Sequence, residues 1–126
     1  MAGNRILVVD DETELLDLVK MRLEANGYQV ATAGDGQEGL EKARTQPPDL
    51  IILDLMLPKL NGYEVCRLLK FDQKFQSIPI VMFTARAQDK DERLGMECGA
   101  DAYIRKPFKA QELLDHIKRL VHSQPA

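Results

Sequence analysis

Ile6-Leu7-Val8-Val9-Asp10-Asp11-Glu12 is four apolar residues without alternation running directly into three acids. Leu50-Ile51-Ile52-Leu53-Asp54 repeats the pattern, and Ile80-Val81-Met82-Phe83-Thr84 ends the same kind of run on a hydroxyl. A short apolar run is either a strand buried on both faces or part of a buried helix. Flanking turn residues and β-branched content favour strands here. Strands buried on both faces imply a parallel sheet covered by helices. Tyr28 to Ala33 is weaker and mixed, as a peripheral strand would be, and Ala102-Tyr103-Ile104 reads as a short last strand.

Helical patterns fill the intervals. Leu15, Val19 and Leu23, joined by Leu18, form an apolar stripe that Asn26-Gly27 stops. Asp35 followed by Glu38 resembles a capping box opening a helix of about ten residues. Asn61-Gly62 precedes Val65, Leu68 and Leu69, and Gly99 closes a helix starting near Asp89. Leu113, Leu114, Ile117, Leu120 and Val121 form the stripe of a final helix. Strand onsets fall near residues 6, 28, 50, 80 and 102, at intervals of 22, 22, 30 and 22, which suits five β-α units. Right-handed crossovers then give an α/β fold. The expectation is a doubly wound five-stranded parallel sheet of order 2-1-3-4-5, flavodoxin-like, with five helices; the order comes from the fold class, not from the residues.

The 126 residues suit one domain, 1–126, with a core of about 4–122 and a tail of 123–126. A chain this long buries about two-thirds of its unfolded surface and needs no disulfide or metal staple. The net charge of −3 argues against a nucleic-acid-coating protein. The apolar runs are far short of the roughly 20 residues of a membrane span, and no secretory signal is expected. Cys66 and Cys98 stand apart with no nearby Cys or His to complete a metal site, which suggests reduced thiols in a cytoplasmic protein.

In such a sheet, ligands bind beyond the carboxyl ends of the strands where the order reverses, between strands 1 and 3. Asp10 and Asp11 stand at one end and Asp54 at the other, with Thr84 and Lys106 after strands 4 and 5. Two carboxylates about 4 Å apart repel by roughly 4 kcal/mol at an effective dielectric of 20. A hard divalent cation with oxygen ligands, such as Mg²⁺, removes that cost. A hydroxyl and an ammonium beside it suit a phosphoryl group, and a carboxylate can attack phosphorus to form an acyl phosphate.

Each residue alone has an ordinary explanation: Asp10 or Asp11 as a helix cap, Asp54 as a turn residue, Thr84 as a local turn hydroxyl, Lys106 as a solvated charge. Their convergence on one sheet edge makes the ordinary explanations improbable in combination. Cys66 and Cys98 read as small packing residues, His116 and His122 as solvated surface groups, and Arg86 as a loop charge able to shape access.

The whole chain resembles the receiver domain of bacterial two-component response regulators. The resembling stretches are Ile6 to Glu12, Pro48 to Pro58, Asn61-Gly62-Tyr63-Glu64, Ile78 to Ala85 and Gly99 to Phe108, in that order, covering about residues 4 to 122. The resemblance implies that Asp54 accepts a phosphoryl group from a histidine kinase's phosphohistidine. It implies that Asp11 binds Mg²⁺ directly, Asp10 mainly through water, and the Met56 backbone carbonyl as a further ligand. Lys106 would pair with the phosphoryl group, Thr84 would move to hydrogen-bond it, and Tyr103 would turn inward behind Thr84. The Lys106-Pro107 peptide is cis in the family. Implied partners are a sensor histidine kinase or phosphotransfer protein, and a downstream target or effector domain on the face of helix 4, strand 5 and helix 5. Neither nucleic acid nor membrane is an expected partner of the domain itself. The chain is expected to be a signalling module, not a classical enzyme, catalysing only its own phosphotransfer and dephosphorylation. It is either a stand-alone regulator or part of a longer one.

Three rivals fit less well. A phosphohydrolase of the haloacid-dehalogenase type uses Asp-x-Asp, but Met56 cannot move a proton. A flavodoxin-type flavin carrier needs a hydroxyl- and glycine-rich phosphate loop where Asp10-Asp11-Glu12 stands. A degenerate docking receiver would not keep all of Asp10, Asp11, Asp54, Thr84 and Lys106. Met56 and Arg86 also resemble the receivers of winged-helix transcription regulators. There they would flank the water's approach, implying slow autodephosphorylation. Those receivers pair through helix 4, strand 5 and helix 5 using salt bridges. Here Ala102 and His116 replace one charged pair, and Glu92 faces Glu112, with Arg93 as partial compensation, so the activated chain is expected to stay monomeric.

Overall fold

A computed structural model describes residues 5–84, 99–106 and 109–122, with Thr84 and His122 described in their backbone alone. Five strands, β1 (Arg5–Val9), β2 (Gln29–Ala33), β3 (Leu50–Asp54), β4 (Ile80–Thr84) and β5 (Ala102–Arg105), form one sheet. All pairings are parallel, in the order β2-β1-β3-β4-β5. The expected order therefore holds, and it reverses between β1 and β3. Among the described residues there are four helices: α1 (Thr13–Glu24), α2 (Gly36–Thr45), α3 (Gly62–Lys70) and α4 (Ala110–His122). The fifth expected helix, opening near Asp89, lies outside the described residues, as do Arg86, Glu92, Arg93, Cys98, Pro107 and the 123–126 tail.

The unbroken apolar runs follow from the two-sided core. Successive strand residues point to opposite faces. Leu7, Val9, Ile51, Leu53, Ile80 and Met82 pack on one face with Leu40 and Ala43 of α2 and Val65, Cys66 and Leu69 of α3. Ile6, Val8, Leu50, Ile52, Val81 and Phe83 pack on the other with Leu16, Val19 and Leu23 of α1 and Leu113, Leu114 and Ile117 of α4. Full burial of each Val, Leu, Ile, Phe or Met side chain among these stabilises the fold by about 1.5–3 kcal/mol.

Two helical stripes differ from the sequence reading. The inward residues of α1 are Leu16, Val19 and Leu23, while Leu18 is 52 % exposed. In α3 Leu68 is 43 % exposed, and Val65, Cys66 and Leu69 are buried. At 3.6 residues per turn, Leu18 and Leu68 lie more than a quarter turn from the centres of their buried stripes.

The caps explain where the helices start and stop. Asp35 caps α2 by accepting the Glu38 N–H at 2.8 Å, but the Glu38 carboxylate accepts from the Gly34 N–H at 2.7 Å, one residue earlier than a capping box. A full box forms at α3, where Asn61 accepts the Glu64 N–H at 3.0 Å and Glu64 accepts the Asn61 N–H at 3.2 Å. Gly27, with φ of 92°, turns the chain out of α1 in a conformation that disfavours other residues. At the amino edge of the sheet, Lys70 donates to Gln76 O at 3.2 Å, Ile78 O at 2.8 Å and Asp101 Oδ2 at 2.9 Å. The same Asp101 oxygen accepts the Ile80 N–H at 2.8 Å, so this ion pair ties α3 to the starts of β4 and β5.

Candidate functional site

At the opposite, carboxyl edge the parallel register brings distant residues together. Asp10 follows β1 and is fully buried, its backbone N–H donating to Ala33 O at 3.1 Å. Its Oδ1 accepts the Glu12 N–H at 2.8 Å, which holds the carboxylate in a local turn. Asp10 and Asp11 are not helix caps: Glu12 occupies the cap position of α1, without a side-chain cap bond. Asp54 is the last residue of β3, paired with Phe83 of β4 and 4 % exposed. Its Oδ1 accepts the Met56 N–H at 3.1 Å.

Lys106, just beyond β5, joins the two ends. Its ammonium donates to Asp10 Oδ2 at 2.7 Å and Asp54 Oδ2 at 3.3 Å, with Glu12 Oε1 at 3.5 Å. It also stands 4.7 Å from the centre of the Phe83 ring, whose face attracts a cation. Carboxylate oxygens of Asp10, Asp11 and Asp54 all lie within 4.8 Å of one another. Four acids, counting Glu12, meet one ammonium, so three negative charges remain uncompensated among these residues.

Burial pushes the Asp54 carboxyl up from 3.8 to about 6, against the Met56 N–H and the Lys106 charge, with Asp10 adding repulsion. Burial pulls the Lys106 ammonium down, but its hydrogen bond to Asp10 and the charges of Asp54, Asp10 and Glu12 outweigh that and leave it raised. The firmly protonated lysine offsets only part of the carboxylate charge, and the excess that remains makes the site an attractor for cations.

Asp10, Asp11, Asp54 and Lys106 are thus brought together as the sequence suggested. Thr84 ends β4 in register with Arg105, one residue before Lys106, which puts its backbone on the same edge. Tyr103 is half-buried and packs against the core shared with α2 and α3. Met56 follows Asp54 by two residues, 49 % exposed between buried Leu55 and Leu57. Cys66 is buried, as expected of a packing residue, and His116 is partly buried, 2.9 Å from Arg119. The sequence reading missed the Phe83 ring and the reach of Glu12 to Lys106. Phe83 ends an apolar run and carried only a core signal; its place directly before Thr84 was the available hint.

Residues 6–118 match the family described as the response regulator receiver domain. Over 119 residues the chain is 49% identical to the alkaline phosphatase synthesis transcriptional regulatory protein PhoP of Bacillus subtilis, covering 94% of this chain and 49% of that one. The chain therefore spans about half the length of that curated relative. Among solved structures it resembles the signal receiver domain of a signal transduction histidine kinase from Syntrophus aciditrophicus, with a TM-score of 0.90, 36% identity, and coverage of 95% and 91% of the two chains. It also resembles the receiver domain of the sensor histidine kinase PA1611 from Pseudomonas aeruginosa, with a TM-score of 0.88, 31% identity, and coverage of 96% and 99%. That structure has a magnesium ion coordinated in its active site cleft.

Proposed function

The chain belongs to the response regulator receiver domain family, and from that membership we propose that Asp54 is the phospho-acceptor of a switch served by a sensor histidine kinase or phosphotransfer protein. The observation that carries this reading is the buried Asp10–Lys106–Asp54 bridge, with Asp11 beside it, at the point where the strand order reverses.

The donor set suits Mg²⁺: hard carboxylate oxygens, an excess of negative charge and, among the described residues, no cysteine or histidine in the cluster. Asp10, Asp11, Asp54 and the Met56 backbone carbonyl would hold the ion. Bound there, it would neutralise charge between the acceptor carboxylate and the incoming phosphoryl oxygens. Asp54 attacks phosphorus through a carboxylate oxygen. The P–N bond to the donor imidazole breaks, its electron pair stays on that nitrogen, and a mixed anhydride forms on Asp54. Lys106 then exchanges a carboxylate partner for a phosphoryl oxygen in a charge-assisted pair. Thr84 donates its hydroxyl to another phosphoryl oxygen, and Tyr103 turns inward behind it.

In this reading residues 4–122 are the whole switching unit, working in the cytoplasm as a signalling module that also hydrolyses its own acyl phosphate. A target or effector domain is met through the face that includes β5 and α4. The relative's transcriptional role supports a gene regulator as the whole protein. The test is phosphorylation by acetyl phosphate with Mg²⁺ and with excess EDTA. Labelling only with Mg²⁺ supports the metal role, and equal labelling in EDTA removes it.

A further inference from the structure

Helix α2 contributes no side chain to the carboxylate cluster, yet its first residue presses on the loop that follows the acceptor aspartate. A Cβ added at Gly36 would run into the carbonyl oxygen and carbon of Leu60. Those are backbone atoms, which cannot rotate aside as a side-chain end can. Gly36 also donates its N–H to Pro58 O at 3.3 Å, and Asp35 pairs with Lys59 at 3.5 Å. Lys59 itself holds a left-handed φ of 68°, a conformation a non-glycine residue keeps only where its surroundings impose it. The loop closes on itself where Gly62 N–H donates to Leu55 O at 2.9 Å. It is anchored in the core by Leu55 and Leu57, the neighbours of Met56.

We infer that Gly36 is a positioning residue for the metal and acceptor site: contact without a side chain lets α2 fix the loop of residues 55–61, and with it the Met56 carbonyl. The inference rests on the function proposed above and extends it to a helix outside the cluster. Any side chain at position 36 must push the Leu60 backbone outward and disturb the oxygen set that the loop helps build. Residues that orient a ligand set from outside it typically change metal affinity by about 10- to 100-fold when altered.

The neighbouring glycine supplies a matched control. A Cβ at Gly34 would meet only the Glu38 carboxylate oxygen, at an ordinary 3.8 Å. The experiment titrates Mg²⁺ into the unaltered chain, Gly36→Ala and Gly34→Ala, reading affinity from amide NMR shifts and stability from urea unfolding in EDTA. Gly36→Ala is expected to weaken Mg²⁺ binding roughly tenfold while still folding, and Gly34→Ala to change it by less than about twofold. Equal affinity in folded Gly36→Ala overturns the inference alone. No Mg²⁺ binding by the unaltered chain overturns both the inference and the function beneath it.

Should Gly36→Ala fail to fold, Lys59→Gln tests the same tether. Removing a cation from an acidic edge should by itself tighten Mg²⁺ binding. Loss of the Asp35–Lys59 link should loosen the loop and weaken it. Weaker binding supports the inference, and unchanged or tighter binding overturns it.

Discussion

The Lys106 ammonium lies 2.7 Å from Asp10 Oδ2, although the two residues are 96 positions apart. Asp10 is fully buried, so among the described residues this lysine is the cation that makes its burial tolerable. Lys106→Met should therefore cost about 3–5 kcal/mol of stability at pH 7 in EDTA. Much of the loss should return with Mg²⁺, which would supply the missing positive charge. Urea unfolding with and without the ion checks this, and an unchanged midpoint in EDTA would contradict it.

The Asp54 carboxyl gives a pH dependence of definite sign. Burial holds it near 6 in the folded chain, against 3.8. The folded state thus binds this proton more tightly than the unfolded state. Its contribution to stability is full below about pH 4 and is lost as pH rises through about 6. Two pKa units correspond to roughly 3 kcal/mol. In EDTA, Asp54→Asn should stabilise the protein more at pH 7 than at pH 4, by up to about 3 kcal/mol. A difference between variant and parent that stays flat from pH 4 to 7 would contradict the burial of an ionised acceptor.

Strands β1, β3 and β4 were readable because each sits between two covered faces. Ile6 to Val9 and Leu50 to Leu53 need no polar alternation, so the runs announced both the strands and the parallel sheet. Asp10, Asp54 and Lys106 were readable as a group once the strand ends shared an edge. Leu18 and Leu68 were misread as inward-facing because a stripe of leucines does not say which of them faces the sheet; that depends on how each helix rolls against its neighbours. Gly36 was invisible as a site residue, since what it contributes is the absence of a side chain against the Leu60 backbone, 24 positions on.

The switch is expected to run from Thr84 to Tyr103. Thr84 ends β4, and Tyr103 is paired in register with Met82, two residues earlier. A second, inward packing of the Tyr103 ring would give the two-position element that coupling between distant sites requires. Beryllofluoride with Mg²⁺ should shift resonances at Thr84, Tyr103, β5 and α4. Shifts confined to the neighbours of Asp54 would argue against this route, and Tyr103→Ala should leave phosphorylation intact while reducing the shifts in α4.

Activated protein is expected to remain monomeric at low micromolar concentration. Ala102, buried in β5, has no charge to offer, and His116 of α4, 2.9 Å from Arg119, stands where the resemblance to winged-helix regulators implies an arginine, so the expected cross-subunit pair is missing. Glu112 is exposed on the same helix, and its expected counterpart, Glu92, lies outside the described residues. Several ion pairs together set partner choice even where each contributes little. Sedimentation of the beryllofluoride form tests this, and a tight symmetric dimer through β5 and α4 would show that the missing charges are dispensable.

The most direct measurement is the site of labelling itself. Acetyl phosphate with Mg²⁺ should add one phosphoryl group that is stable in acid and labile in base, as an acyl phosphate is, and peptide mapping should place it on Asp54. Asp54→Asn, with Asp10, Asp11 and Lys106 intact, should take up none. Stoichiometric labelling of that variant with the same chemistry would mean that a different carboxylate is the acceptor.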